Sequence, residues 1–158
     1  MAHTLILGWG NPGRGDDGLG PAFIDELAAL ELPEVDTESG YQLQVEDAAT
    51  VAAYQRVLFV DADRSSGKEP FRIGRLEAPA GAGAGFTTHS IGPETVLALA
   101  RDLFASQPEA WVLGIRGYEF DTFSERISSR ACANLAAAVG FVQSSLLEGA
   151  PGRRVDDA

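Results

Sequence analysis

Cysteine is nearly missing from this sequence: Cys132 is the only one in 158 residues. No intramolecular disulfide can form, and no cysteine-rich zinc site can be assembled. Histidine is almost as scarce, with only His3 and His89. Neither an H-E-x-x-H zinc motif nor a G-x-S-x-G nucleophile turn is present, which removes the commonest zinc-protease and serine-hydrolase signatures. Basic residues are few, 12 Lys and Arg against 23 Asp and Glu, for a net charge of −11. Nucleic acid and anionic membrane surfaces need clustered cations, so neither is an expected partner. No apolar run is long enough to span a bilayer, and Met1-Ala-His-Thr lacks the basic start of a signal peptide. A cytoplasmic protein is the expectation, with acidity favouring solubility and cationic partners, metals included.

What the chain has in abundance is glycine, 18 residues, concentrated where an apolar run breaks up. Leu5, Ile6 and Leu7 are apolar without alternation, as in a strand buried on both faces of a parallel sheet. Gly8, Gly10, Gly13, Gly15, Gly18 and Gly20 follow, and so many glycines imply close backbone approach, since each adds unfolded-state entropy. Pro21 suits the opening of a helix whose face carries Phe23, Leu27 and Leu30. Asp16 and Asp17 therefore sit at or just before a helix N-terminus. One carboxylate there is explained by capping. A second is surplus, placed where open α/β sheets bind ligands. Gly8-Trp-Gly10-Asn-Pro-Gly13 also matches the dinucleotide-binding fingerprint in form. The helix is delayed by several residues, however, and two carboxylates would face the pyrophosphate, so nucleotide binding is the weaker reading.

Further on, Leu32 to Gly40 reads as a polar loop and Tyr41 to Val45 as an alternating strand, with Asp47 opening a short helix. Val57-Leu-Phe-Val60 is the clearest core strand and runs into Asp61-Ala-Asp63-Arg64. A turn or side-chain-to-backbone bond explains one of these two aspartates, and a functional role is preferred for the other. In a parallel sheet Asp61 can approach Asp17. Phe71 to Leu76 is a further strand, followed by a small-residue loop, Ala78 to Gly85, and then by His89 ahead of a helix opening at Gly92-Pro-Glu94. That helix presents Val96, Leu99, Ala100, Leu103 and Phe104 on one face. Trp111 to Ile115 is the last strand, and Arg116 to Phe123 an aromatic-rich loop. Thr122-x-x-Glu125 has the form of a capping box opening a final helix, with Ile127, Ala131, Leu135, Val139, Val142 and Leu146 as its apolar stripe. Cys132 reads as buried filler near that stripe.

These elements predict one α/β domain over residues 1–148, a mainly parallel five-stranded twisted sheet with helices on both faces, and a polar tail over 149–158. One strand can be an antiparallel edge. Two carboxylates and an imidazole from loops at one end of the sheet form an oxygen and nitrogen donor set with open positions, suited to a divalent transition metal.

In order, Gly8-x-Gly10-Asn11, Asp16-Asp17-Gly18-x-Gly20, Val60-Asp61-Ala62 and His89 before a helix resemble the hydrogenase maturation proteases over almost the whole chain. Those endopeptidases trim the large subunit of nickel-iron hydrogenases. The resemblance implies removal of a C-terminal extension from a nickel-loaded large-subunit precursor. It also implies that Asp17, Asp61 and His89 contact the nickel and act catalytically through it, with Asp16 as the alternative to Asp17. The nickel would arrive with the substrate, with no tightly bound cofactor in the enzyme, which is expected to be a monomer. Two readings of other classes stand beside it: a nucleotide-binding oxidoreductase and a non-catalytic metal-sensing chaperone of the same precursor.

Overall fold

In the computed structural model, which describes residues 3–80 and 91–147, the apolar run after His3 becomes β1 (Thr4–Trp9), buried along nearly its whole length. The chain then makes a 3-10 turn (Gly15–Gly18), α1 (Leu19–Ala28), β2 (Val35–Gly40), α2 (Asp47–Ala52), β3 (Arg56–Asp63), β4 (Phe71–Leu76), α3 (Pro93–Phe104), β5 (Glu109–Arg116) and α4 (Ser129–Leu147). The five strands form one sheet in the order β2-β1-β3-β5-β4. All neighbouring pairs are parallel except β4 with β5, so the sheet is mixed, with an antiparallel edge.

Alternate residues of the central strands feed two cores. Ile6, Leu58, Val60, Leu113 and Ile115 pack with α1 and α4. Leu5, Leu7, Val57 and Phe59 pack with α2 and α3 on the other face. This two-sided burial explains why β1 and β3 carry unbroken apolar runs. Phe23 and Leu27 hold α1 down and are almost wholly buried, each worth about 1.5–3 kcal/mol. No described helix is long and apolar enough to cross a membrane.

Connectivity positions the site. From β1 the chain crosses through α1 to β2 on one side, then through α2 to β3 on the other. The strand order therefore reverses between β1 and β3, and the crevice beyond their carboxyl ends is where open α/β sheets take ligands.

Several expectations are corrected. The second strand is Val35–Gly40, within the segment read as a loop, and Tyr41 to Val45 is irregular. An edge strand is held by backbone bonds to one neighbour, here from Thr4↔Val35 to Trp9↔Gly40, so it needs little apolar content, and charges on it discourage further pairing. The alternation of Tyr41, Leu43 and Val45 arises because Leu43 alone tucks into the α2/α3 core. The final helix opens at Ser129, beyond Thr122, Glu125 and Ile127. Ser128 caps it, its hydroxyl accepting from Ala131 N at 3.3 Å. Cys132 is exposed, because the buried stripe of α4 runs through Ala131, Leu135, Ala138 and Val142. Leu30, beyond the end of α1, and Leu103 and Phe104, in the last turn of α3, are also exposed.

Candidate functional site

Asp17 is set by the glycine loop. Gly10 has φ +146°, and a Cβ there would overlap the Asp17 carbonyl; a Cβ on Gly20 would collide with the Trp9 backbone. The close approach implied by these glycines is thus between the end of β1 and the turn that opens α1. Asn11 completes the fit. Its backbone N–H donates to Asp17 Oδ2 at 2.8 Å, while its side-chain Oδ1 accepts from Gly13 N at 2.8 Å. Asp17 Oδ1 is left facing the crevice.

Asp16 points the other way and is fully buried. Its Oδ2 accepts from Tyr118 N at 2.8 Å, Glu119 N at 3.0 Å and the Ser128 hydroxyl at 2.7 Å, and its Oδ1 from Ser128 N at 2.7 Å. Burial alone would raise its pKa, but the hydrogen bonds from Glu119, Ser128 and Tyr118 together outweigh it and hold the pKa below the usual value. Asp16 therefore staples the 117–128 loop to the start of α1, and its carboxylate is fully committed.

The aspartates at the end of β3 divide in the same way. The strand continues through Asp63, so Asp61 and Asp63 extend from the sheet face that carries Val57 and Phe59. Asp63 accepts from Ser65 N at 2.8 Å, Ser65 Oγ at 2.6 Å and Arg72 Nε at 3.0 Å. Desolvation opposes its ionisation, yet the bonds from Ser65 and Arg72 prevail and its pKa is lowered. It is the turn-forming residue of the pair. Asp61 accepts from Ala62 N at 2.7 Å, and its Oδ2 takes no hydrogen bond from the described residues. Burial pushes its pKa up to about 6; the Ala62 bond works against this, and the neighbouring Asp17 charge adds to it.

Asp17 and Asp61 line one open groove of about 590 Å³, with Asp63, Arg64, Arg72 and Gly114 among its other walls. The strand-reversal point thus brings together the two carboxylates predicted from separate loops. His89 lies outside the described residues. Ile91, two residues later, packs into the core on the Asp61 face of the sheet. His3 is remote in function, ahead of β1 and 3.6 Å from Glu34. Among the described residues no three His, Cys, Asp or Glu side chains are grouped to hold a metal.

Two arginines were not foreseen as part of this arrangement. Arg64 Nη2 lies 3.7 Å from Asp17 Oδ1, with its guanidinium 4.3 Å from the centre of the Phe120 ring. Arg116 is almost wholly buried; it donates from Nε to Glu69 O at 2.8 Å and from Nη1 to Ser65 O, fixing the loop between β3 and β4. Position immediately after a strand-end aspartate was the only available signal for Arg64. An arginine closing a core strand was the signal for Arg116.

The pair of carboxylates lining the groove at the switch point offers hard oxygen donors to a cation, or a base and a charge to a reacting peptide. No protein-family model and no curated protein matches the sequence. Solved structures do. The chain is similar to a hydrogenase 2 maturation peptidase from a Thaumarchaeota archaeon, at 26% identity and a TM-score of 0.66, over 91% of this chain and 97% of that one. It is similar in fold to a NiFe hydrogenase maturation protease from Thermococcus kodakarensis (22% identity, TM-score 0.70, 92% and 93% covered). The hydrogenase maturating endopeptidase of E. coli shares the fold at 20% identity and a TM-score of 0.64, over 99% of each chain.

Proposed function

We propose that this protein, which belongs by its fold with the hydrogenase maturation proteases, is an endopeptidase that removes a C-terminal extension from the large-subunit precursor of a nickel-iron hydrogenase. The observation that carries the reading is the shared groove of Asp17 and Asp61 at the strand-order reversal, in a fold similar to that of those peptidases. Asp16 and Asp63 are occupied by the chain's own donors, which leaves Asp17 and Asp61 as the pair able to meet a substrate.

Nickel enters this reading as part of the substrate. Two carboxylates fit a cation: Asp17 Oδ1 already faces a guanidinium, and Asp61 engages Ala62 N through Oδ1 while lining the same groove. With His89 as the third donor, Asp17 and Asp61 would complete the coordination of nickel that the precursor holds. Metal insertion would thereby license cleavage. Bound nickel would supply a Lewis acid for the scissile carbonyl or for a water. Oxygen donors and one imidazole, without thiolates, suit a site that binds free metal weakly.

The test is incubation with purified precursor in nickel-loaded and nickel-free forms, read by mass spectrometry. Loss of a C-terminal peptide from the loaded form alone is the expected result. Equal cleavage of both forms would remove nickel from the reading, and cleavage of neither would remove the peptidase.

A further inference from the structure

The crevice contains its own cation. Arg64 follows the strand-end aspartates, and its guanidinium stands 3.7 Å from the one oxygen of Asp17 that Asn11 leaves unbonded. Its charge also acts on Asp61, favouring the ionised carboxylate. The side chain is largely exposed, so burial does not hold it there; the Phe120 ring does, at 4.3 Å. Phe120 is in turn fixed by the loop that Asp16 staples through Tyr118 N and Glu119 N. A chain of contacts thus runs from Asp16 through Phe120 and Arg64 back to Asp17, its own neighbour in sequence.

We infer that Arg64 is the resident counter-ion of the Asp17–Asp61 pair, a guanidinium that a divalent metal must displace in order to reach these carboxylates. The inference rests on the proposed metal-contacting role of the pair and assigns a positioning residue to it. Two carboxylates converging without a cation would repel each other and attract stray metals. A guanidinium on a long, exposed stem neutralises them reversibly, because an exposed ion pair is weak enough to yield to a better-held cation. Phe120 also gives the displaced guanidinium a surface to remain on. The consequence is selectivity: free metal ions meet a competitor, whereas nickel already held by a precursor approaches with most of its coordination paid in advance.

The experiment is calorimetric titration of nickel(II) chloride into the substrate-free protein. R64Q should bind nickel roughly two- to fivefold more tightly than the unaltered chain, the range set by the worth of an exposed ion pair. R64K, which keeps the charge, should stay close to the unaltered affinity. The gain should vanish in the double variant D17N/R64Q. R64Q binding no more tightly than the unaltered protein, or a gain that survives D17N, would overturn the inference. Circular dichroism should show all variants folded, since Arg64 is exposed. Precursor cleavage by the unaltered protein is scored separately, so failure of the peptidase reading is not confused with failure of the counter-ion.

Discussion

Asp16 and Asp17 are consecutive, and their carboxylates face opposite sides of the turn that opens α1. Asp16 is turned inward onto Tyr118, Glu119 and Ser128, and Asp17 outward into the groove it shares with Asp61. Substitutions should separate the two roles. Asp16→Ala leaves three buried or part-buried backbone donors without their acceptor and should cost about 3 kcal/mol or more of stability. Asp17→Asn keeps an acceptor for Asn11 N and should change stability by less than about 1 kcal/mol while abolishing precursor processing. Urea unfolding alongside the cleavage assay reads both. Comparable destabilisation by the two variants would contradict the division.

Asp61 makes the opposite contribution to stability. Its pKa in the folded protein is raised to about 6 from an ordinary 3.8. The folded state therefore holds this proton more tightly than the unfolded state, and stability falls as pH rises from about 4 to about 6. Asp61→Asn removes that loss. The variant should be more stable than the unaltered chain by up to about 3 kcal/mol at pH 7. At pH 4 the difference should shrink to within about 0.5 kcal/mol. Denaturation at the two pH values checks this, and a variant less stable at pH 7 would show that Asp61 is held by more than the Ala62 bond. A carboxylate that weakens the fold at neutral pH is the kind of group kept for function.

Much of this arrangement is legible from residues alone, for identifiable reasons. β1 and β3 are buried on both faces, so composition betrays them, and the glycines after β1 mark a close approach that Gly10 and Gly20 fulfil. At β3 the split between one committed and one less engaged aspartate follows from local donors, Ser65 binding Asp63. Capping, by contrast, does not account for Asp16, whose donors are Tyr118, Glu119 and Ser128 and not the N–H groups of its own helix. The family resemblance, carried by motifs that are individually weak, agrees with the solved structures that share the fold. β2 was illegible because an edge strand is specified by its neighbour's backbone, and Asp36 and Glu38 look like loop residues. The start of α4 was hidden because Ser128 is fixed by Asp16, 112 residues away. No local pattern reports a bond of that span. The same holds for Phe120 beneath Arg64.

The glycine loop yields a structural prediction. Gly10→Ala requires a side chain at φ +146° and places its Cβ against the Asp17 carbonyl. Backbone strain of this kind costs of order 1–3 kcal/mol by itself, and the overlap with fixed backbone adds to it. A substantial fall in melting temperature is expected, with nickel binding lost because the turn carrying Asp17 must shift. Unchanged melting and metal affinity would mean that the loop yields without disturbing Asp17.

Metal retention by the isolated chain is the most discriminating prediction for its chemistry. Cys132, exposed on α4, is the only cysteine, so no thiolate pair is available to trap a transition metal. Asp17 and Asp61 are two oxygen donors in one groove with the Arg64 guanidinium, and in the proposed set His89 would add one nitrogen. Dedicated transition-metal sites are tight because they combine several thiolates or imidazoles. Protein purified without chelator and dialysed against a weak one should therefore contain nickel far below one equivalent, while still processing a precursor that carries its own. His89→Ala should abolish that processing with an unchanged melting temperature. Stoichiometric metal after dialysis would mean that the protein owns its cofactor, and processing by His89→Ala at an unaltered rate would remove the histidine from the set.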